Sequence, residues 1–277
     1  DSRGVIFRTL TRPPTESPYD RNGNLLPNNP ITTLLASYQR TGSNRLIGNL
    51  YGELELLKGL NFRSSIALDY LAFKEDRFYP SIIFSFGGVQ RTGAALLTQQ
   101  LNWINENTLT YTTQFAQKHN LTGLLGFSQQ QNNTESIGGQ GSRYSTDLIP
   151  TLNAAAQRDN LFTTETVFGI ASYFARVNYD YAGRYLFSAT ARYDGSSRFG
   201  ANNRFGFFPS ASVGWRVSEE AFLRGNRLIN DLKLRASWGK TGNQQIGNFV
   251  SRGSLAIGAD YNGQGGVVPA ANGLPNP

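Results

Sequence analysis

Residues 171–194 read Ala-Ser-Tyr-Phe-Ala-Arg-Val-Asn-Tyr-Asp-Tyr-Ala-Gly-Arg-Tyr-Leu-Phe-Ser-Ala-Thr-Ala-Arg-Tyr-Asp. In its first half, Ala171, Tyr173, Ala175, Val177 and Tyr179 alternate with Ser172, Arg176, Asn178 and Asp180. After a turn near Tyr181-Ala182-Gly183, Tyr185, Phe187, Ala189, Ala191 and Tyr193 alternate with Ser188, Thr190, Arg192 and Asp194. Successive side chains of a strand point to opposite faces, so this period-2 pattern predicts a hairpin with one apolar and one polar face.

The same pattern repeats on both sides of it. Upstream, Leu46 to Leu56 alternates with Asn49 to Glu55, Lys58-Gly59 turns the chain, and Leu60, Phe62, Ile66, Leu68 and Tyr70 return opposite Arg63, Ser65 and Asp69. A further hairpin is expected over Thr108–Phe115 and Asn120–Ser128 around Ala116-Gln117-Lys118-His119. Downstream, Ala211, Val213, Trp215 and Val217 alternate with Ser210, Ser212, Gly214 and Arg216, and Leu232 to Trp238 alternates with Lys233, Arg235 and Ser237. A ninth strand is expected near Phe249 to Ala256. The expected fold is all-β, with eight or nine antiparallel strands connected up and down.

The connections alternate in length. Short turns fall at Lys58-Gly59, Ala116 to His119 and Tyr181 to Gly183, and long loops are expected near 74–100 and 130–162. Alternate connections of an up-and-down sheet share one end, so one end is tight and the other carries the long loops, as in outer-membrane barrels. Ten residues at about 3.3 Å each, tilted by about 40°, rise about 25 Å, the height of the apolar band of such barrels. Tyr179, Tyr181 and Tyr185 cluster at one short turn, where amphipathic rings suit a membrane boundary.

Composition removes several alternatives. There is no Cys and one histidine, His119, so disulfides, Cys-based or His-rich metal centres and paired-His catalysis are excluded. No apolar run approaches the roughly 18 residues of a membrane helix, and Asp1, Arg3, Arg8 and Arg12 interrupt any leader-like core. The net charge is +7 and 21 of the 26 basic residues are Arg, but they stand singly, which argues against nucleic acid as a partner. The chain has no Met, not even at position 1, and is expected to be part of something longer. Glu53 and Glu55 share a face without an evident partner for acid-base or metal chemistry. Gly138-Gly139-Gln140-Gly141 lacks the strand-to-helix setting of a phosphate loop. No catalytic residue, metal site or cofactor is expected.

Three stretches resemble SusC/RagA-type TonB-linked outer-membrane transporters. Arg192 to Phe199 is similar to the R-x-D-G-S-S-R-F signature of that family. Phe208-Pro209-Ser210 through Gly214-Trp215-Arg216, followed by Glu219-Glu220, resembles its F-P-S…G-W-R strand. Leu232 to Gln244 resembles its L-K-L-R-x-S-x-G-x-T-G-N-Q strand and loop. Weaker likeness reaches upstream to Leu57–Leu60 and Asn29-Pro30, covering most of 29–277. The resemblance implies a barrel of twenty-two strands, of which 1–277 is an internal part. A plug domain and a TonB box, which the family carries, are not found in the sequence. It implies import of oligosaccharides or peptides, with a SusD-like surface lipoprotein as lid, the TonB–ExbB–ExbD complex as energy source and outer-membrane lipid around the barrel. Two other readings are a small self-closing outer-membrane barrel, for which eight strands suffice, and a soluble carbohydrate-binding sandwich.

On this reading Arg63, Asp69, Arg176, Arg192, Asp194, Arg216 and Arg235 face the lumen, where opposite charges on neighbouring strands can pair. Phe78, Tyr79, Phe84, Phe86 and Tyr144 are expected in outer loops, where ring faces suit sugar stacking or a lid contact. Glu219-Glu220 is placed at a periplasmic turn, and His119 in a solvated turn.

Overall fold

The computed structural model describes residues 17–27, 29–83, 91–224, 228–249, 251, 255–261 and 264–269. A short helix, α1 (Pro30–Ala36), precedes eight strands: β1 (Tyr38–Leu57), β2 (Leu60–Tyr79), β3 (Thr92–Phe115), β4 (His119–Tyr144), β5 (Ala155–Tyr181), β6 (Tyr185–Ser196), β7 (Phe205–Arg216) and β8 (Lys233–Gly239). They form one sheet in sequence order, β1 to β8, and β9 (Leu255–Tyr261) pairs with β10 (Gln264–Pro269) in a separate hairpin. The expected up-and-down antiparallel sheet is therefore present. The ninth strand starts at Leu255 rather than Phe249 and lies outside the main sheet.

The start of α1 is written in its sequence. Asn29 caps it, its Oδ1 accepting from the Ile31 N–H at 2.9 Å, and Pro30 supplies a preset φ in the first turn, where no N–H is needed.

The strands are longer than the alternation suggested. β2 runs on to Tyr79 and β3 begins at Thr92, so 74–79 and 92–100 of the loop expected over 74–100 are strand. Likewise β4 extends to Tyr144 and β5 begins at Ala155, so the loop expected over 130–162 narrows to 145–154. The reason is compositional. Gln129 to Ser142 and Gln157 to Thr166 are polar on both faces except at Ile137, Leu161 and Phe162, so their pattern carries no clear period-2 signal. Ladder hydrogen bonds hold such segments whatever faces them.

The register aligns like with like. Across β5, β6, β7 and β8 one row reads Val177, Ala189, Ala211, Trp238, and another Tyr179, Phe187, Val213, Ala236. The intervening rows read Asn178, Ser188, Ser212, Ser237 and Asp180, Leu186, Gly214, Arg235. A one-residue slip would exchange the two sets, so the contrast between the faces rules out odd slips.

The chain forms two compact units, one of residues 1–46, 69–101 and 134–166 and one of 47–68, 102–133 and 167–277. The first contains the connections 80–91 and 145–154. The second contains all three tight turns. The Ala182 N–H donates to the Lys118 C=O at 2.6 Å and joins two of them, while Thr112 N–H to Gly59 C=O at 2.8 Å and Arg216 N–H to Arg184 C=O at 2.8 Å tie turns to neighbouring strands. Two of these turns hold alanine in the left-handed region, Ala116 at φ 47° and Ala182 at φ 53°, a conformation that costs a non-glycine residue about 1 kcal/mol.

Burial is inverted relative to a water-soluble domain. Among the described residues the buried apolar side chains are Phe78, Tyr144 and Val217, whereas Leu50 (74%), Leu125 (60%) and Trp238 (68%) stand open with many others.

Candidate functional site

Strands β6, β7 and β8 and the loops after β6 and β8 converge on a cleft of about 570 Å³. All of it belongs to the second unit. Its floor is built around Arg192. The guanidinium Nε donates to both Asp194 oxygens at 2.6 and 2.8 Å, and one terminal nitrogen donates to the fully buried Ser172 hydroxyl at 3.0 Å. Its carbon lies 5.5 Å from the Phe174 ring centroid, within cation–π range.

Two aromatic rings on this largely polar face each need a glycine. Phe174 occupies the space where a side chain at Gly126 would stand, and Phe208 that at Gly242. Both glycines permit a close approach that any Cβ would block. The Phe208–Gly242 contact brings the F-P-S strand and the T-G-N-Q loop together.

Arg198, the second arginine of the R-x-D-G-S-S-R-F stretch, ties the same loops. It stacks on Phe168 at 3.9 Å, donates to Asn248 Oδ1 at 2.8 Å and to the Gln244 carbonyl at 3.2 Å. Ser197 and Gly169 exchange hydrogen bonds at 2.9 Å in both directions. The signature residues thus bond to one another and make a frame.

The other charged residues expected on this face are distributed along it. Asp69 forms a two-pronged pair with Arg45, at 2.8 and 2.7 Å. Arg45 precedes the first clear alternation, so sequence reading passed over it. Arg63 lies over the Tyr51 ring at 4.3 Å. Arg176 donates to Thr190 at 3.3 Å, and Arg216 approaches Asp231 at 3.9 Å. Arg235 lines a second cleft, of about 520 Å³, with Asp180, Asn120 and Lys233. The structure brings together Arg192 and Asp194 but leaves the remaining five apart from that pair. Arg192 and Asp194 pair along one strand, two residues apart, rather than across the sheet. Glu55 accepts from the N–H of Gly59 in its own turn at 3.2 Å.

The aromatic expectations need correction. Phe78 and Tyr79 lie on β2 and Tyr144 on β4, at strand ends and not in loops. Phe78 and Tyr144 are both 3% exposed and pack edge to face at 5.1 Å, so neither offers a ring face to a ligand. Burial pushes the Tyr144 phenol above its usual value. Phe84 and Phe86 lie outside the described residues. Nearby, Asp147 gathers the Ser81 N–H and hydroxyl at 2.9 and 2.6 Å and Arg91 Nε at 2.6 Å. Partial burial works against the charge of Asp147, but these donors outweigh it and hold its carboxyl below the usual range.

His119 is not a solvated turn residue. It stacks on Phe115 at 4.8 Å, contacts Tyr181 at 4.9 Å and shares a 2.7 Å hydrogen bond with the Tyr179 hydroxyl. Glu220 accepts from the Tyr185 hydroxyl at 2.6 Å and the Trp215 indole at 3.1 Å, with Arg184 at 3.5 Å. The Tyr185 bond first, then the Trp215 bond, holds its carboxyl below the usual range. Aromatic rings with polar handles thus gather at the turns at 116–118 and 182–184. Among the described residues no cluster of metal-ligating side chains occurs, and no helix is long and apolar enough to cross a membrane.

Comparison with known proteins agrees with this architecture. The family model described as TonB dependent receptor-like, beta-barrel matches residues 2–276. The chain is 34% identical to TonB-dependent receptor P39 of Formosa agariphila over 97% of its own length and 27% of that relative. It is 30% identical to TonB-dependent receptor SusC of Bacteroides thetaiotaomicron over 80% of its length and 22% of SusC. It superposes on a chain of the RagAB peptide importer in its closed-closed state with a TM-score of 0.85, at 21% identity, over 98% of this chain and 32% of the other. The chain spans about a quarter of the length of the curated relatives it matches. The signature stretches, the sheet and these matches agree: the chain belongs to the TonB-dependent receptor-like β-barrel family, an outer-membrane family of transporters and receptors rather than enzymes, and its likeness within that family is to the SusC/RagA type.

Proposed function

We propose that this chain is barrel wall in an outer-membrane, TonB-dependent importer of oligosaccharides or peptides. One observation carries the reading. The side chains that alternate toward one face of the sheet are apolar and open, while the opposite face holds Arg192–Asp194 and other ion pairs. In water such a face would cost about 25 cal/mol for each Å² left uncovered. In hydrocarbon it costs nothing, and the polar face then lines an aqueous lumen. Neither a soluble sandwich nor a small self-closing barrel fits as well. The first needs a second sheet over the apolar face. The second needs β1 to pair with β8, and in the described residues the sheet order ends at those two strands.

The short turns at Lys58-Gly59, 116–118 and 182–184 face the periplasm, and the connections 80–91 and 145–154 face outward. Arg63, Asp69, Arg176, Arg192, Asp194, Arg216 and Arg235 line the lumen. Tyr79 remains a contact candidate for substrate or lid. A SusD-like lipoprotein covers the outer mouth, and TonB–ExbB–ExbD supplies the energy.

Uptake of fluorescent oligosaccharides and peptides by cells with and without the gene tests this reading. The expected result is uptake of one class that disappears on deletion and on dissipating the proton gradient. Uptake unchanged by both treatments would overturn it.

A further inference from the structure

The cleft of about 570 Å³ contains two kinds of cation. Arg192 is already satisfied by Asp194 and Ser172. Arg204 and Lys240 are exposed, line the same cleft and have no carboxylate partner among the described residues. Their backbones are fixed: the Arg204 carbonyl accepts from the Ser196 N–H at 2.9 Å, and the Lys240 N–H donates to the Pro209 carbonyl at 3.0 Å. Their charges therefore project from anchored positions. Asp194 is the one carboxylate in the lining, and Arg192 neutralises it. The cleft is left with a surplus of positive charge.

The rest of the lining mixes hydroxyls and amides, Thr190, Ser210, Thr241, Asn243 and Gln244 among them, with the rings of Phe199, Phe205 and Phe208. Such groups match the hydroxyls of a sugar. An arginine fork fits a carboxylate with two parallel hydrogen bonds, and a lysine adds a point charge. We infer that this cleft is a subsite for an acidic oligosaccharide, one whose rings carry carboxylate groups, with Arg204 and Lys240 as the residues that select the charge. The inference rests on the transport reading and deepens it. The signature residues build the frame, and the two free cations on it determine which ligand it holds.

The test is binding by the full-length protein in detergent, measured calorimetrically. The probes are an oligogalacturonate, a neutral oligosaccharide of equal length and a glutamate-rich peptide. The expected result is preference for the oligogalacturonate. Arg204→Gln and Lys240→Gln should each weaken it by roughly tenfold, the usual worth of one hydrogen bond to a charged group. Neutral-sugar binding should weaken much less, since a neutral ring has no carboxylate to lose its partner. Arg204→Lys with Lys240→Arg keeps both charges and should retain most of the affinity, which separates charge selection from a folding defect. Equal binding of acidic and neutral sugars, undiminished affinity in the double glutamine variant, or preference for the peptide would each overturn the inference. The transport reading fails separately, when deletion of the gene leaves uptake of every probe intact.

Discussion

Two stretches of β4 have opposite burial. Between Leu121 and Phe127, close to the turn at 116–118, the apolar side chain of Leu125 is open. Between Ser142 and Tyr144 the aromatic ring is buried, and the Ser142 hydroxyl is buried with it, donating to Asp159 at 3.1 Å. A strand normally hides its apolar groups and exposes its polar ones, as the second stretch does for its ring. Under the proposed membrane placement the first stretch reverses the rule because it meets hydrocarbon. The lesson is that alternation states which residues differ from their neighbours. It does not state which solvent each face meets.

The sharpest way to break this comparison is topological. The native chain has no cysteine, so single substitutions can be labelled cleanly. Leu148→Cys, exposed in the connection after β4, should react with an impermeant maleimide in intact cells. Lys118→Cys should react only after the outer membrane is opened. Labelling of both in intact cells would reject the assignment of ends.

The next largest effect concerns the two faces of β6. Ala189 stands in the apolar row between Val177 and Ala211, and Ser188 in the polar row between Asn178 and Ser212. Ala189→Arg should cost roughly 2–4 kcal/mol, as for a cation at mid-depth on a lipid face. Ser188→Arg should cost much less. Thr190 is a poorer control than its polar parity suggests, because it already accepts from Arg176 and a second guanidinium there would meet a like charge. Denaturant titration in lipid vesicles measures both variants, and equal costs would mean that the faces are misassigned.

Gly126→Ala gives a smaller penalty, about 1–3 kcal/mol, the usual range for overpacking. The added methyl displaces the Phe174 ring, which lies beneath Arg192. An unchanged denaturation midpoint would show that the ring moves freely.

The smallest effect is acid sensitivity at Glu220. Its folded pKa is depressed, so its contribution to stability is complete above the ordinary glutamate value of 4.5 and is lost as pH falls below that. Between pH 6 and pH 3, wild type should lose more thermal stability than Glu220→Gln. Parallel curves would show that the Tyr185 and Trp215 bonds contribute nothing.

Much of the fold was legible because alternation is local. Every one of the eight strands was found from its own residues, and the apolar rows across β5 to β8 follow from parity alone. The long continuations of β3, β4 and β5 were not legible. Those of β4 and β5 are mostly polar on both faces, and in β3 apolar and polar residues fall on both faces, so no clean contrast marks them and only ladder pairing with a neighbour shows that they are extended. The site was legible in part. Arg192 and Asp194 could be placed on the polar face, but not their pairing along one strand. Two residues apart and on one side, they meet because Ser172 and Phe174 hold the guanidinium from the next strand.

The sequence by itself determined strand identity, facing and family signature, because each depends on residues within a few positions of one another. Only the tertiary structure decided which side chains meet. Arg45 reaches Asp69 from 24 residues away, Arg198 reaches Gln244 from 46, and Glu220 draws in a tyrosine 35 residues earlier. Such contacts depend on the exact register between strands, and alternation, which repeats every second residue, excludes only odd slips.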